Sequence, residues 1–122
     1  MQKFLILAIK CIADIYWRLF PYFHPALRML HQNLCSSLLD VGCGRGLPVK
    51  GLKKHIFKVG VDIDIQCLRS CPQERTHNYV VLADAAHLPF RDKTFDVALC
   101  LQVLHLLKKR DAMKVLDELE RI

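Results

Sequence analysis

Ser37-Leu38-Leu39-Asp40-Val41-Gly42-Cys43-Gly44-Arg45-Gly46 reads as a short buried strand running through an acidic residue into a three-glycine turn. Glycine has no Cβ and enters φ > 0 without strain, so such a turn lets backbone pass close to a bound ligand. Further on, Lys58-Val59-Gly60-Val61-Asp62 supplies a second apolar strand tipped with a carboxylate. A strand, a glycine turn, a helix and a second strand ending in Asp form one half of a nucleoside-binding α/β site.

The spacing of the glycines narrows the ligand. The dinucleotide fingerprint is G-x-G-x-x-G, whereas here the pattern is G-x-G-x-G and Leu47 stands where the last glycine belongs. Asp40 at the mouth of the turn would repel a pyrophosphate and attract a ligand bearing an ammonium and a sulfonium. S-adenosylmethionine has that make-up: adenosine, two cationic groups and no phosphate.

A third segment, Val80-Val81-Leu82-Ala83-Asp84-Ala85-Ala86-His87-Leu88-Pro89-Phe90, is followed by Arg91-Asp92-Lys93-Thr94-Phe95-Asp96-Val97-Ala98-Leu99-Cys100. It reads as strand, acidic loop, proline turn and strand. With this segment the chain resembles the class I S-adenosylmethionine-dependent methyltransferases, the small-molecule group similar to ubiquinone and menaquinone biosynthesis methyltransferases. The matching motifs are LLDVGCGRG, VGVDID, LADAAHLPFRDKTFDVALCLQVLHLL and DAMKVLDELERI, running from about residue 37 onward in one register.

The resemblance implies S-adenosylmethionine as cofactor, S-adenosylhomocysteine as product and a set of binding residues. The first motif would wrap the methionine part of the cofactor with Asp40, Gly42, Cys43, Gly44 and Gly46. Asp62 would accept the ribose hydroxyls, Ile63 would cover one adenine face, and Asp84 with the Ala85 amide would meet the adenine edge. Leu101 and Gln102 would line the floor near the transferred methyl. No catalytic residue is assigned, because a sulfonium is already a good leaving group and a dedicated base is optional. Strand four runs into Cys100-Leu101-Gln102-Val103, which disfavours the amino-methylating enzymes that carry Asn/Asp-Pro-Pro-Tyr there.

Other residues have plainer roles. Asp64 is expected to cap the helix beginning near Gln66, and Asp96 to hold the turn before strand four. Arg45 stands where the family often has a small hydroxyl residue, tolerable if it points to solvent. His87 and His105 are candidate bases, but His105 is expected to pack or contact backbone. The six cysteines, Cys11, Cys35, Cys43, Cys67, Cys71 and Cys100, contain no C-x-x-C pair. They read as free thiols of a cytoplasmic protein, not as metal ligands.

The 122 residues carry 18 basic and 12 acidic side chains, a net charge of +6, and are 52% hydrophobic. Lys53-Lys54 and Lys108-Lys109-Arg110 are short basic runs without interleaved aromatics, so no nucleic-acid partner is expected. A helix over about 2–20 gathers Lys3, Lys10, Asp14 and Arg18 in one narrow sector at about 100° per residue. Its wide apolar face suits burial on the domain, with membrane-surface or partner contact through Tyr16, Trp17 and Phe20 as the alternative. Charges interrupt the apolar run well before a membrane span. Tyr16, Trp17, Tyr22, Phe23 and His24 are weaker candidates for an acceptor pocket.

The pattern predicts an N-terminal helical segment over 1–36, including a second helix over about 25–34, and a partial cofactor-binding domain over 37–122. Strands are expected over 37–42, 57–62, 78–83 and 95–101, a short helix near Pro48, and helices over 65–71 and 110–121. Alternating strands and helices imply an α/β, Rossmann-like doubly wound parallel sheet, and the family's strand order is 3-2-1-4. Relative to the seven-stranded family fold the chain is truncated after strand four. That strand would then be an apolar edge, expected to be covered by a second copy or a partner subunit unless the chain is a fragment. The functional expectation is methyl transfer to a small-molecule acceptor. The rival readings are a cofactor-binding remnant without turnover and, less well supported, a nicotinamide-dependent oxidoreductase.

Overall fold

Leu38, Leu39 and Val41 are apolar at nearly consecutive positions, the pattern of a strand covered on both faces. In the computed structural model they form β1 (Ser37–Val41), the second strand of a four-stranded parallel sheet. The structure describes residues 35–46, 49–50, 52, 55–74, 76–101 and 103–122. The helices expected over 2–20 and 25–34 and the residues opening the short helix near Pro48 lie outside them, as does Gln102.

β2 (Phe57–Asp62) is followed by α1 (Ile65–Glu74), β3 (Tyr79–Leu82) and β4 (Val97–Cys100). A single 3-10 turn (Leu104–Leu106) then leads into α2 (Lys109–Arg121). The sheet order is β3-β2-β1-β4, as the family resemblance implies, and every pair is parallel. The register sets Asp40 opposite Gly60 on one side and opposite Leu99 on the other.

The alternation of β1 divides the core. Leu38 packs with Cys35, Val49, Leu52, Ile56 and Leu99 on one face. Leu39 and Val41 pack with Val59, Val61, Leu88 and Ile122 on the other. A third cluster of Cys43, Leu68 and Cys71 fastens the inner side of α1 beneath the glycine turn.

Element ends differ from the sequence expectation by a few residues, for identifiable reasons. The ladder of β4 starts at Val97, because Phe95 donates its N–H to the Ile122 carbonyl instead (3.1 Å). Asp96 stays exposed at the start of β4, and its Oδ2 accepts the Ser36 and Ser37 amides at 2.8 and 2.9 Å. These bonds hold the Asp96 carboxyl below the usual carboxylate range. Its expected role in the turn before strand four is what the structure has. α1 continues through Pro72 to Glu74: the proline removes one N–H from the ladder, and the helix ends two residues later. Asp64 caps it as expected, its Oδ1 accepting the Gln66 amide at 2.8 Å.

One guanidinium pins α2 to the acidic loop. Arg121 donates to Glu118 through both Nε and Nη2 (2.8 and 2.9 Å). It also donates to the Phe90 and Leu88 carbonyls (2.8 and 3.1 Å) and to Asp92 (2.9 Å). Glu118 in turn accepts the Leu88 amide at 2.6 Å. The loop after β3 is thereby held against the helix whose opposite end borders the cleft described next.

Candidate functional site

In an open α/β sheet, ligands bind beyond the carboxyl ends of the strands, where neighbouring connections diverge. Such a cleft, about 480 Å³ in volume, opens here at the ends of β1, β2 and β3. Gly42, Asp62, Ile63, Asp84 and Ala85 line one side of it, and Val103, Leu106, Leu107, Asp111 and Lys114 the other. The volume lies in the usual range for a small-molecule or cofactor site.

The glycine turn forms one edge of this cleft. Gly42, Gly44 and Gly46 all have positive φ, at 72°, 52° and 76°. Two of them also need the absence of a side chain. A Cβ on Gly42 would overlap Val103, and one on Gly46 would overlap the Thr76 hydroxyl and the His77 ring. The turn is tied to β2 by the Gly42 and Cys43 amides, which both donate to the Val61 carbonyl (2.7 and 3.0 Å).

Asp62 organises its surroundings from the tip of β2. Its Oδ2 accepts the Gly44 amide at 2.8 Å and its Oδ1 accepts the Asp64 amide at 2.9 Å. A carboxylate offers about four acceptor positions, so about two remain for a ligand. Asp84, after β3, accepts the Ala86 amide at 2.9 Å. That bond, with smaller contributions from His87 and Lys114, keeps its carboxyl below the usual range despite some desolvation. Ile63 is 74% exposed at the rim, free to lie against a flat ring.

Five of the sequence-predicted residues, Gly42, Asp62, Ile63, Asp84 and Ala85, thus come together on the cleft wall. Gly44 and Gly46 shape the turn without lining the cleft, as does Cys43, which is buried beneath it. Leu101 is half-buried after β4 and does not line the cleft; Gln102 lies outside the described residues. His105 is exposed on the 3-10 turn, so of its two expected roles, packing and backbone contact, the structure overturns the packing. His87 is also exposed, 3.5 Å from Asp84.

Asp40 departs from the simple electrostatic expectation. It is only 3% exposed and does not line the cleft. Its Oδ2 meets His77 Nε2 at 2.9 Å, and His77 Nδ1 meets the Thr76 hydroxyl at 2.8 Å. Burial is the largest influence on His77 and opposes its charged form. Hydrogen bonds to Asp40 and Cys71 more than offset it and raise the pKa to about 9. Cys43 is pushed well above the ordinary thiol value by its contact with Cys71, by burial and by Asp40. Cys71 is drawn the other way by Cys43 and His77. Its 2.9 Å contact with the Gly44 carbonyl is nevertheless one that only a protonated thiol can donate. No sequence pattern marks His77, a histidine in a polar linker. The wall of Asp111, Lys114 and Val115 could have been read from its i, i+3, i+4 spacing on α2.

Known proteins resemble this chain in sequence and in fold. The chain is 35% identical over 88 residues to a tRNA (carboxymethyluridine(34)-5-O)-methyltransferase of Arabidopsis thaliana, covering 71% of this chain and 21% of that protein. It is 31% identical over 90 residues to an 18S rRNA (guanine(1575)-N(7))-methyltransferase of Saccharomyces cerevisiae, covering 70% and 32%. Among solved structures, the PH0226 protein of Pyrococcus horikoshii OT3 superposes with a TM-score of 0.66 at 28% identity, over 87% of this chain and 52% of that one. The chain therefore spans roughly a fifth to a half of the length of these proteins. Residues 39–122 match the family described as “Methyltransferase domain”, and the chain belongs to that family, whose cofactor is S-adenosylmethionine.

Proposed function

We propose that this chain provides the cofactor-binding part of an S-adenosylmethionine-dependent methyltransferase acting on a small-molecule acceptor. The observation that carries the reading is the placement of Asp62 and Asp84 around one cleft, with the Gly42–Gly46 turn along its edge. The donor set fits the cofactor: two carboxylates for hydroxyl and amino groups, the Ala85 amide for a ring nitrogen, and an exposed Ile63 for a flat face. When bound, the cofactor supplies a methyl group already activated on a sulfonium.

The protein's own residues would bind, orient and exclude water. Alignment of this kind is worth up to roughly 7–11 kcal/mol in well-organised sites. Val103, Leu106 and Leu107 give the opposite wall an apolar surface. The described cysteines are all free thiols, in keeping with a reducing, cytoplasmic setting. Residues 37–122 are assigned here to the cofactor-binding unit. Among the described residues, no helix is long and apolar enough to cross a membrane.

Calorimetric titration with S-adenosylmethionine and S-adenosylhomocysteine, with Asp62→Ala as control, tests the reading. Micromolar binding that the substitution abolishes supports it; a folded chain that binds neither ligand overturns it. Binding without transfer to any acceptor would favour the non-catalytic alternative.

A second reading, an RNA acceptor, is favoured by one local feature. Lys108, Lys109 and Arg110 are exposed directly beside Leu107 and Asp111 on the cleft wall. Two of the relatives named above act on tRNA and rRNA. An RNA site built on these cations would lose affinity steeply with salt and on their replacement by Gln. Salt-independent behaviour would leave the small-molecule reading in place.

A further inference from the structure

His77 takes no part in the proposed transfer, yet both of its ring nitrogens are engaged. Its side chain is fully shielded from solvent, and that of Asp40 is 5% exposed. The ring also sits where two glycines leave room. A Cβ on Gly46 would come within 2.9 Å of His77 Cε1, and one on Gly60 within 3.1 Å of Cδ2. Gly60 is the register partner of Asp40 on β2, and the missing side chain there leaves room for Cys43, whose Sγ would lie 2.8 Å from such a Cβ, and for the edge of the ring. The titratable groups facing the imidazole are Asp40 from β1 and Cys71 from α1. Cys43, from the turn, is in contact with Cys71.

From this geometry we propose that His77 is a positioning residue for the cofactor turn: bonded to Asp40 and wedged against Gly46 and Gly60, it braces Gly42–Gly46 in the shape that receives the cofactor. The inference rests on the cofactor reading above. Asp40 lies two residues before Gly42, and Gly46 is the last glycine of the turn, so one ring holds the segment near both ends. It also reassigns Asp40. That carboxylate is spent on an internal partner and acts through the turn, leaving Asp62, Asp84 and Asp111 as the carboxylates that line the cleft. Without the ring, Asp40 would be a buried carboxylate lacking its partner and Gly46 would border a void. Both faults would loosen the turn.

The test compares the unmodified chain with His77→Leu and His77→Gln. S-adenosylhomocysteine affinity is measured calorimetrically from pH 6.5 to about 9 and slightly above. Amide exchange at Gly42, Gly44 and Gly46 is followed without ligand. His77→Leu is expected to weaken binding about tenfold or more and to speed exchange across the turn. His77→Gln, which keeps a donor toward Asp40, is expected to recover most of both. The unmodified chain should also lose affinity as His77 gives up its proton, a fall that His77→Gln lacks. A folded His77→Leu chain with unaltered affinity and unaltered exchange overturns the proposal. If that variant does not fold, a His77→Gln chain that keeps the same pH profile overturns it instead. If the unmodified chain binds no ligand, the cofactor reading fails by itself. The exchange measurement then decides the bracing role: unchanged exchange in the variants overturns it, and faster exchange in His77→Leu supports it.

Discussion

Replacing Asp62 by Asn changes one oxygen into an amide nitrogen, and the structure gives that nitrogen no neutral place to go. Oδ2 accepts from Gly44 and Oδ1 from Asp64. Either orientation of the Asn amide therefore sets its NH₂ against a backbone N–H. One bond is lost and two donors are opposed, at a cost of roughly 1–3 kcal/mol to the order of the turn. The ribose hydroxyls would also meet a neutral acceptor, and charge-assisted bonds are about twice as strong as neutral ones. If about half of the turn's cost is felt by the ligand and roughly 1 kcal/mol is lost at the ribose, the total is about 1.5–2.5 kcal/mol, and the Kd for S-adenosylhomocysteine rises roughly 10- to 70-fold. Calorimetric titration of Asp62→Asn beside the unmodified chain reads this directly, with a thermal melt to verify folding. A folded variant whose Kd stays within about twofold of the original would refute the double role given to this carboxylate.

Three further outcomes follow from other parts of the fold. Gly46→Ala places an L-residue at φ 76°, which costs about 1–2 kcal/mol before its Cβ displaces Thr76 and His77. The melting temperature should drop and cofactor binding weaken together; an unchanged melt would contradict the packing described. Arg121→Lys keeps the charge but cannot span Glu118, Asp92 and the Leu88 and Phe90 carbonyls at once. It should lower the melting temperature and raise protease cleavage in the 88–92 loop, and equal resistance to cleavage would count against the pinning role. Finally, His77 is raised in the folded chain from about 6.5 to about 9. Its contribution to stability is therefore complete below about pH 6.5 and lost as pH climbs through about 9. Melting temperature should decline over that window, and His77→Gln should flatten the slope; a slope that persists in the variant would assign it to another group.

How far the sequence could be read depends on whether a signal is local. Apolar runs bounded by glycine or Asp located β1 and β2 closely, because strand burial on both faces writes itself into consecutive residues. The ends of β4 and α1 were less legible. Phe95 is diverted to the Ile122 carbonyl, and Pro72 is absorbed into a helix that continues beyond it. Gly42, Asp62, Ile63, Asp84 and Ala85 were identifiable as a group because each closes or follows a strand in a motif with fixed spacing. The second wall of the cleft was not, since Val103, Leu106 and Lys114 meet the first only through folding of the segment after β4.

Asp40 shows the boundary most clearly. By itself the sequence determined the parallel α/β character, the glycine turn and the carboxylates that tip β2 and β3. Each of these depends on residue type and short-range spacing. Only the tertiary structure decided that Asp40 is paired with His77, 37 positions away. Gly60, lying beside Asp40 in the sheet, has no side chain, and the room it leaves is shared by Cys43 and the edge of the imidazole. Charge near a ligand site can be read from a sequence, but whether that charge faces the ligand or an internal partner depends on what the neighbouring strand leaves open.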